Sequence, residues 1–372
     1  MDATLAGSLQ QHAETVVDEL VSSGAETGLQ VAVFHNGSLV AEVAGGLADP
    51  DAGRPVTADT LFYAASTAKG AASTVAHVLA ERGVVDYDLR LADVWPEFAA
   101  HGKDRVTLRH VLGHTAGVPG LPSGTTVAEL CDWDHMCAVL AAAQPWWEPG
   151  TRFGYHSLTF GFLLGETLRR VTGRTISALL CEHVTGPLGI AADIHFGIPP
   201  GLMSRVARQV EPDGHPAAPL PEPGSRAEQA SPPALRPGAG FANRTDVLCA
   251  DIPSTGTMTA RGVARMYAAL LGHVDDATLV SARRLASMAA VTYRGLDEVV
   301  GVPAQWAFGY SPYRPGPPAV EGSTFGMPGA NGSAAYADIG SGIAVAVMRN
   351  RFTTGDFTAA ARIGQLVATA FP

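Results

Sequence analysis

The alternation of apolar and polar residues predicts strands near the start of the chain. Residues 29–34 and 39–44 are two apolar runs joined by Asn36-Gly, a pattern typical of a β-hairpin with a tight turn. Before them, residues 4–22 place apolar side chains at helical spacing, which predicts an amphipathic helix. After them, the run 71–80 is apolar on nearly every face, which predicts a buried helix.

The middle of the chain carries helical spacing, and strands return near its end. The predicted middle helices span 106–112, 127–143, 159–171 and 177–185. Residues 198–237 contain ten prolines and little periodicity, which predicts a surface excursion or a lid over a site. The predicted elements of the last third are helices over 259–271, 279–289 and 357–370 and strands over 335–339 and 343–348.

Strands at both ends with helices between them predict an α/β architecture, with one antiparallel sheet built from the two termini. We expect an α/β domain of residues 1–70 and 255–372 and a mostly helical domain of residues 71–254, which includes the Pro-rich stretch 198–237. A catalytic site is then expected in the crevice between the two domains.

Composition excludes several classes of protein. With 47% hydrophobic and 16% charged residues, the chain has the make-up of a globular protein. A net charge of -10 without a basic run argues against nucleic-acid binding. The chain has no run of about 18 apolar residues and no basic segment leading into an apolar one at its start, so we expect no membrane span and no signal peptide. The cysteines are expected to be buried free thiols of a cytoplasmic protein: Cys131, Cys137, Cys181 and Cys249.

Ser66 and Lys69 are the first candidates for chemistry. They stand three residues apart at the start of the predicted buried helix, so they share one helix face. At a helix N-terminus, free N–H groups and the helix dipole favour a developing oxyanion. Burial lowers the pKa of a lysine towards the range in which it accepts a proton. The pair therefore supplies a candidate nucleophile and base, although a purely structural helix start would show the same pattern.

Lysine is rare in this chain, which argues against a purely structural helix start at Ser66 and Lys69. Of 25 basic residues only two, Lys69 and Lys103, are lysines, and the others are arginines. An arginine cannot be deprotonated in a protein, so it cannot serve as a base. A lysine therefore stands where a base is needed, in a chain that otherwise uses arginine.

Tyr155 and Ser157 follow a loop that contains proline and glycine, from which a phenol and a hydroxyl can point into a cleft. We expect a neighbouring lysine cation to lower the pKa of Tyr155, which would let the phenol share the serine proton and pass it to a leaving group. A core tyrosine with a satisfied hydroxyl is the structural alternative.

The glycine-rich segment around residue 329 is the third candidate. Its glycines allow a ligand to approach the backbone closely, and Pro328 indicates an edge strand. Such a strand could offer the N–H of Ala330 as a second oxyanion donor beside that of Ser66. A Gly-rich turn between strands is the structural alternative.

The order of these motifs resembles that of the penicillin-recognising serine enzymes. Ser66-x-x-Lys69 is followed by Tyr155-x-Ser157 and then by the Gly-rich strand. The chain is most similar to the class C β-lactamase-like branch, which includes the family VIII carboxylesterases and related acyltransferases. Supporting stretches are 112–117, 147–156, 170–173, 186–189 and 252–261.

This resemblance implies a β-lactamase/transpeptidase-like fold and an acyl-enzyme on Ser66. It also implies that Lys69 and Tyr155 are the acid/base pair, and that the amides of Ser66 and Ala330 form the oxyanion hole. Which of Lys69 and Tyr155 is the acylation base stays open, because that assignment is disputed even in related enzymes.

The third motif departs from the family pattern. Lactamases begin it with lysine, and many esterase-like relatives with histidine or tryptophan, whereas this chain has Met327. The cation that would hold a substrate carboxylate is therefore missing, so we expect uncharged acyl substrates. Ser157 also replaces an asparagine that is frequent in lactamases. The candidate substrate contacts are Tyr63, His156, Ser157, Trp306, Met327 and Gly329.

The sequence thus predicts a serine hydrolase that cleaves a small-molecule ester through an acyl-enzyme. The first alternative is a transacylase that delivers the acyl group to an alcohol or amine acceptor. A β-lactamase, a D-aminopeptidase and a non-catalytic acyl-ligand binder are less favoured. No cofactor or metal is expected, because the metal-capable side chains of residues 131–137 spread over several helix faces. The acyl group, the acceptor and the oligomeric state do not follow from the sequence.

Overall fold

The computed structural model describes residues 3–371 apart from 213–220, 273, 276 and 319. Its α-helices are α1 Ala3–Ser22, α2 Ala68–Glu81, α3 Leu91–Val94, α4 Leu108–Leu112, α5 Val127–Cys131, α6 Trp133–Ala142, α7 Thr159–Thr172, α8 Ile176–Leu180, α9 Arg226–Ala230, α10 Ala239–Ala242, α11 Thr245–Cys249, α12 Ala260–Leu270, α13 Ala282–Ala289 and α14 Thr358–Ala370. Its strands are β1 Gly28–His35, β2 Ser38–Asp49, β3 Arg54–Pro55, β4 Phe62–Tyr63, β5 Ile194–His195, β6 Thr257–Met258, β7 Val291–Leu296, β8 Pro303–Ala307, β9 Thr324–Pro328, β10 Ala334–Asp338 and β11 Ile343–Arg349.

Six strands form the main antiparallel sheet, in the order β3-β2-β1-β11-β10-β9. Strand β1 lies inside the sheet, and its residue Val31 pairs with Val43 of β2 on one side and with Val347 of β11 on the other. The predicted α/β architecture, with one sheet built from both ends of the chain, is therefore confirmed. Strand β9 lies at the edge, as Pro328 indicated.

Helices cover both faces of this sheet, which explains why β1 is apolar on both sides. Val31 and Val33 belong to a core that also contains Val17 of α1 and Ile363 of α14. On the opposite face, Phe34 joins a larger core that includes α2 and α12. Burying one such side chain contributes about 1.5–3 kcal/mol, and a one-residue slip would exchange the two faces, so the apolar pattern fixes the register.

Helix α2 runs through the larger core, and its residues 68–80 are all buried. It packs closely on α12: a methyl group added at Gly70 would lie 2.1 Å from the hydroxyl oxygen of Tyr267, so the approach requires glycine. It also contacts α7 and α8 of the middle segment and strand β9 of the sheet. The N-terminal end of α2 is thus held between parts of the chain that are distant in sequence.

The structure corrects the sequence predictions at three places. The helix predicted over 127–143 is two helices, because Asp132 leaves helical geometry and its carboxylate accepts a hydrogen bond from the His135 N–H at 3.0 Å, which caps α6. The hairpin of β7 and β8 was not predicted, and most of its side chains are exposed or half-buried, so it carries no strong apolar run. Cys181 and Cys249 are exposed, not buried, although all four cysteines are free thiols.

Part of the Pro-rich stretch 198–237 lies outside the described residues. Its described part contains the short turns Pro200–Arg205 and Pro233–Leu235 together with α9. Within the part of the chain that the structure covers, no helix is long and apolar enough to cross a membrane. The division into two domains at residues 70 and 254 stays a prediction.

Candidate active site

Ser66 lies in the turn Ala65–Thr67, a 3-10 turn that leads directly from β4 into α2. The preceding residue, Ala65, has a φ of 46°, in the left-handed region that residues with a Cβ rarely adopt. Such a backbone costs about 1–3 kcal/mol and persists where the surrounding structure enforces it, mainly at functional sites. This strained turn presents Ser66 at the wall of a cavity.

Lys69 lies one turn further along, and its amine nitrogen is 2.9 Å from the Oγ of Ser66. The side chain is only 1% exposed, and its second contact is the carbonyl oxygen of Ser254 at 3.4 Å. In the described part of the chain, no carboxylate pairs with Lys69. Because burial penalises the ammonium and no anion offsets that penalty, the pKa of Lys69 falls to about 7.

Tyr155 forms a group of three residues with Ser66 and Lys69. Its side chain lies beside Ser66, whose hydroxyl acts to lower the pKa of the phenol, and the amine of Lys69 lies 5.1 Å from the centre of its ring. The predicted direction of the Tyr155 pKa is wrong, because burial raises it to about 12. Loss of solvation disfavours the phenolate, and a lysine that is itself desolvated does not compensate. Tyr155 is therefore a phenol at neutral pH.

Buried rings hold Tyr155 in place. The ring centroids of Trp306 and His114 lie 5.7 Å and 4.8 Å from that of Tyr155. The indole N–H of Trp306 donates to the carbonyl oxygen of Leu112 at 3.1 Å, and Nδ1 of His114 accepts from the His156 N–H at 3.0 Å. Trp306 thus packs against Tyr155 and is not among the residues that line the cavity, and its substrate contact stays a prediction.

His156 does not reach the cavity either. Its side chain is 1% exposed, Nδ1 donates to the carbonyl oxygen of Gly154 at 2.6 Å, and Nε2 accepts from the Val118 N–H at 3.0 Å. These bonds use both ring nitrogens, and burial lowers the pKa of His156 to about 4. The ring is a neutral link between two backbone segments, and the substrate contact of His156 stays a prediction without support from these bonds.

Met327 and Gly329 also lie outside the cavity lining. Met327 is buried against Phe153 and Trp306, and its place in an acyl pocket stays a prediction. A methyl group added at Gly329 would lie 2.6 Å from the carbonyl oxygen of Ala64. Gly329 therefore allows a close approach between two backbone segments, not the approach of a ligand.

A cavity of about 40 Å³ lies next to Ser66. Tyr63, Ser157 and Ala330 line it, so two predicted substrate contacts and the predicted second oxyanion donor lie beside the candidate nucleophile. The end of the Pro-rich stretch and the next helix form another wall, from Ala230, Ser231, Leu235, Pro237 and Phe241. Among the described lining residues, Lys69 is the only one with a charged side chain.

The segment after β9 is tied to the turn that carries Ser66. The Asn331 side chain is fully buried, and its amide donates to the carbonyl oxygen of Tyr63 at 2.9 Å. The neighbouring N–H of Ala330 has no recorded acceptor among the described residues. An N–H group at the cavity wall can therefore bind a ligand oxygen.

Comparison with known proteins assigns this architecture to a family. Residues 13–369 match the Beta-lactamase family. The chain belongs to this family. It is 35% identical over 336 residues to Esterase/beta-lactamase LipL of Mycobacterium tuberculosis, a match that covers 87% of this chain and 77% of LipL.

Solved structures of similar proteins agree with this family membership. A family VIII carboxylesterase is 33% identical with a TM-score of 0.84, covering 95% of this chain and 97% of that protein. A penicillin-binding protein homolog from Caulobacter crescentus is also 33% identical with a TM-score of 0.84, covering 100% of this chain and 98% of that protein. These matches confirm the β-lactamase-like fold and the assignment as a serine hydrolase.

Some residues around the site of this Beta-lactamase family member were missed by sequence reasoning. Ser254 holds the start of α7, because its hydroxyl donates to the carbonyl oxygen of Leu158 and accepts from the Gly161 N–H, both at 2.8 Å. Asp297 accepts a hydrogen bond from the backbone N–H of Tyr155. Both act through backbone groups, which a pattern of side-chain types does not mark. One hint existed for Leu235, since a lid over a site was one of the two predictions for the Pro-rich stretch, the other being a surface excursion.

Proposed function

We propose that this protein is a serine carboxylesterase that hydrolyses esters of small uncharged acyl groups through an acyl-enzyme on Ser66. The observation that carries the proposal is the 2.9 Å contact between Ser66 Oγ and the Lys69 amine, in a buried site where none of the described carboxylates pairs with the ammonium. The names of two relatives support it, since LipL is called an esterase and a neighbouring structure is a family VIII carboxylesterase.

Lys69 fits the role of base in the first step. With a pKa of about 7, a large share of the amine is uncharged at neutral pH and can take the Oγ proton as Ser66 attacks the ester carbonyl carbon. Tyr155, with a pKa of about 12, carries its proton at that pH and cannot be the base. The step yields a Lys69 ammonium and a tetrahedral intermediate.

Tyr155 fits the role of proton donor to the leaving alcohol. When the carbon–oxygen bond to the leaving group breaks, the departing oxygen takes the Tyr155 proton, and the Lys69 ammonium then returns a proton to the phenolate. In the second half, water attacks the acyl carbon and Lys69 accepts a water proton, while Ser66 leaves with a proton from Tyr155. The Lys69 ammonium again returns a proton to the phenolate, which restores both residues. The net reaction is ester plus water to acid plus alcohol.

The backbone N–H groups of Ser66 and Ala330 are the proposed oxyanion hole. Both residues line the cavity, and Ser66 stands at the N-terminal end of α2, where the helix dipole favours negative charge. Removing one oxyanion donor typically costs about 3 kcal/mol of transition-state stabilisation. A Pro at position 330 would remove that N–H, and we expect acylation to slow by about 100-fold.

The cavity supports the choice of acyl group. The volume beside Ser66 is only about 40 Å³, which favours a small acyl group. The lining offers apolar side chains and no second cation for a substrate carboxylate. The proposal includes a cytoplasmic location, which the free thiols support because cysteines stay unpaired in a reducing compartment.

Intact-mass spectrometry after mixing with p-nitrophenyl acetate tests the proposal. Parallel samples contain p-nitrophenyl butyrate, a panel of small alcohol and amine acceptors, and the Ser66→Ala variant. We expect an acetyl adduct that forms within the first turnover, decays in water, and is absent from Ser66→Ala. We expect butyryl transfer to be slower.

The other outcomes lead to different conclusions. An adduct that persists until an alcohol or amine is added would replace the esterase by a transacylase. If neither an ester nor a fluorophosphonate modifies Ser66, the enzymatic proposal is wrong, and a non-catalytic acyl-ligand binder would remain.

A further inference from the structure

The hairpin of β7 and β8 forms a two-stranded sheet that is separate from the main sheet. Its exposed residues include large apolar side chains. Fully buried residues occur only at the end of its second strand. The turn between the strands, residues 297–302, comes back onto the loop that carries Tyr155. The hairpin therefore contacts the candidate active site through its turn.

The contact is made by a buried carboxylate. Asp297 is 4% exposed, and both of its carboxylate oxygens lie 3.3 Å from the backbone nitrogen of Tyr155, whose N–H they accept. Oδ1 also accepts from the N–H groups of Val299 and Val300, at 2.8 Å and 3.0 Å. Among the described residues, no cation forms an ion pair with Asp297, so backbone N–H groups alone satisfy its charge.

Neighbouring contacts hold the same two segments together. The N–H of Glu298 donates to the carbonyl oxygen of Phe153 at 3.0 Å. The Phe153 ring stacks on Tyr293 of β7 with ring centroids 4.7 Å apart. A turn that only needed a cap would be satisfied by the bonds to Val299 and Val300. The additional bond to Tyr155 links the turn to a catalytic loop that is remote in sequence.

We propose that Asp297 is a positioning residue for Tyr155, through which the hairpin of β7 and β8 fixes the phenol against Ser66. This inference rests on the proposed function, because it assigns Asp297 a task only if Tyr155 transfers protons. The carboxylate of Asp297 holds the backbone of Tyr155 in position, while Trp306 and His114 pack against the Tyr155 ring. Its negative charge also opposes phenolate formation and so adds to the effect of burial in raising the pKa of Tyr155.

The expected effect is on turnover, because Asp297 does not line the cavity. Displacing a catalytic group by about 1 Å can lower a rate by about 100-fold. We expect Asp297→Ala to lower kcat for p-nitrophenyl acetate by about 10–100-fold and to change KM by less than about twofold. Asp297→Asn keeps one acceptor oxygen, so we expect a smaller loss, of about three- to tenfold.

A double-mutant cycle with Tyr155→Phe tests whether Asp297 acts through the phenol. If it does, adding Asp297→Ala or Asp297→Asn to Tyr155→Phe lowers the residual kcat by less than about twofold. The matched control is Glu298→Gln, whose side chain points to Arg152 at 3.5 Å and whose backbone bond is kept. It should leave kcat unchanged.

The outcomes separate this inference from the proposed function. If Asp297→Ala and Asp297→Asn lower kcat by the same factor with and without the Tyr155 hydroxyl, the residue is only structural and the inference is overturned. It is also overturned if neither variant lowers kcat. If Asp297→Ala does not fold, the Asp297→Asn cycle decides alone. A wild-type protein that neither turns over the ester nor forms a Ser66 adduct would overturn both proposals.

Discussion

The two lysines of this chain are both buried, and their surroundings differ in one respect. The amine of Lys103 is surrounded by the carbonyl oxygens of Ala100 at 2.8 Å, Ala141 at 3.0 Å, and Ala143. The amine of Lys69 has one carbonyl contact and the hydroxyl of Ser66. Burial lowers the pKa of both, to about 8 for Lys103 and to about 7 for Lys69.

The difference shows how one residue type serves two purposes. A carbonyl oxygen can only accept, so three carbonyls around Lys103 match the three N–H groups of an ammonium and keep it charged at neutral pH. A hydroxyl accepts from an ammonium but can also donate to an uncharged amine, so the site around Lys69 accommodates both forms. Lys103 ties the end of α6 to the turn Pro96–Gly102, whereas Lys69 can exchange a proton.

Replacing Lys69 gives the largest expected effect. Lys69→Met keeps the length of the side chain and removes the base, so we expect kcat/KM for p-nitrophenyl acetate to fall by about 1,000-fold or more. Lys69→Arg keeps the cation but cannot lose a proton, so it should be equally inactive. The measurement is steady-state kinetics with thermal unfolding as a folding control. An active Lys69→Arg would show that Lys69 acts only as a charge.

Replacing Lys103 should affect stability instead. Lys103→Met leaves the carbonyl oxygens of Ala100, Ala141 and Ala143 without their donor, so we expect the free energy of unfolding to fall by about 3 kcal/mol. The kcat of the folded fraction should stay within about twofold of the wild type. Urea titration at one temperature, combined with kinetics, provides the check. A large loss of kcat in a stable Lys103→Met protein would remove the contrast between the two lysines.

The pH dependence of activity should follow Lys69. The uncharged amine is the reactive form, so kcat/KM should rise with pH and level off above about pH 7, falling about tenfold per pH unit on the acid side. Glu298→Gln should give the same pH profile as the wild type. The titration of Lys69 is expected within roughly pH 5 to pH 8. A flat profile of kcat/KM over that range would contradict the assignment of Lys69 as the base.

The same pKa has a consequence for stability. The pKa of Lys69 is about 7 in the folded protein and 10.5 for an ordinary lysine, so the unfolded chain binds more protons between these values. Lys69 therefore penalises folding most at low pH, and its penalty disappears as pH rises towards 10.5. We expect Lys69→Met to be more stable than the wild type at pH 7, with a difference that narrows at higher pH. Urea titrations across that range measure it.

The smallest effect is expected for Lys103→Arg. The guanidinium keeps the charge and several donors, but it is planar and larger than an ammonium, so it fits the three carbonyls less well. We expect a loss of about 1 kcal/mol in the free energy of unfolding and no change in kcat. A loss as large as that of Lys103→Met would show that shape, not charge, matters at this site.

The sequence was sufficient where chemistry and periodicity coincide. The hairpin around Asn36-Gly, the buried helix after Ser66 and the terminal strands have strong apolar patterns, and their positions are confirmed. The contact between Ser66 and Lys69 followed from helical spacing, since residues three apart share a face.

The sequence was insufficient where side-chain direction decides. Met327 and His156 stand at the motifs in sequence, and Trp306 was considered only as an aromatic residue, yet all three are buried and none lines the cavity. Residues Thr324 to Met327 of β9 are buried on both faces of the strand, so alternation along the sequence does not show which side chains face the cavity. The hairpin of β7 and β8 was not predicted, and the contact of Asp297 with the backbone N–H of Tyr155 joins residues remote in sequence, so it could not be anticipated.

The pairing of Val31 with Val347 has a kinetic consequence. It closes a loop that contains nearly the whole chain, and closure entropy and folding time both increase with such long-range contacts. During synthesis, β1 and β2 leave the ribosome long before β11. One edge of the apolar strand β1 is then without a pairing strand, which makes it prone to aggregation. Ala330 and Asn331 arrive with the same late strands. Esterase activity should therefore arise only in the last phase of folding, after the two ends of the chain have met.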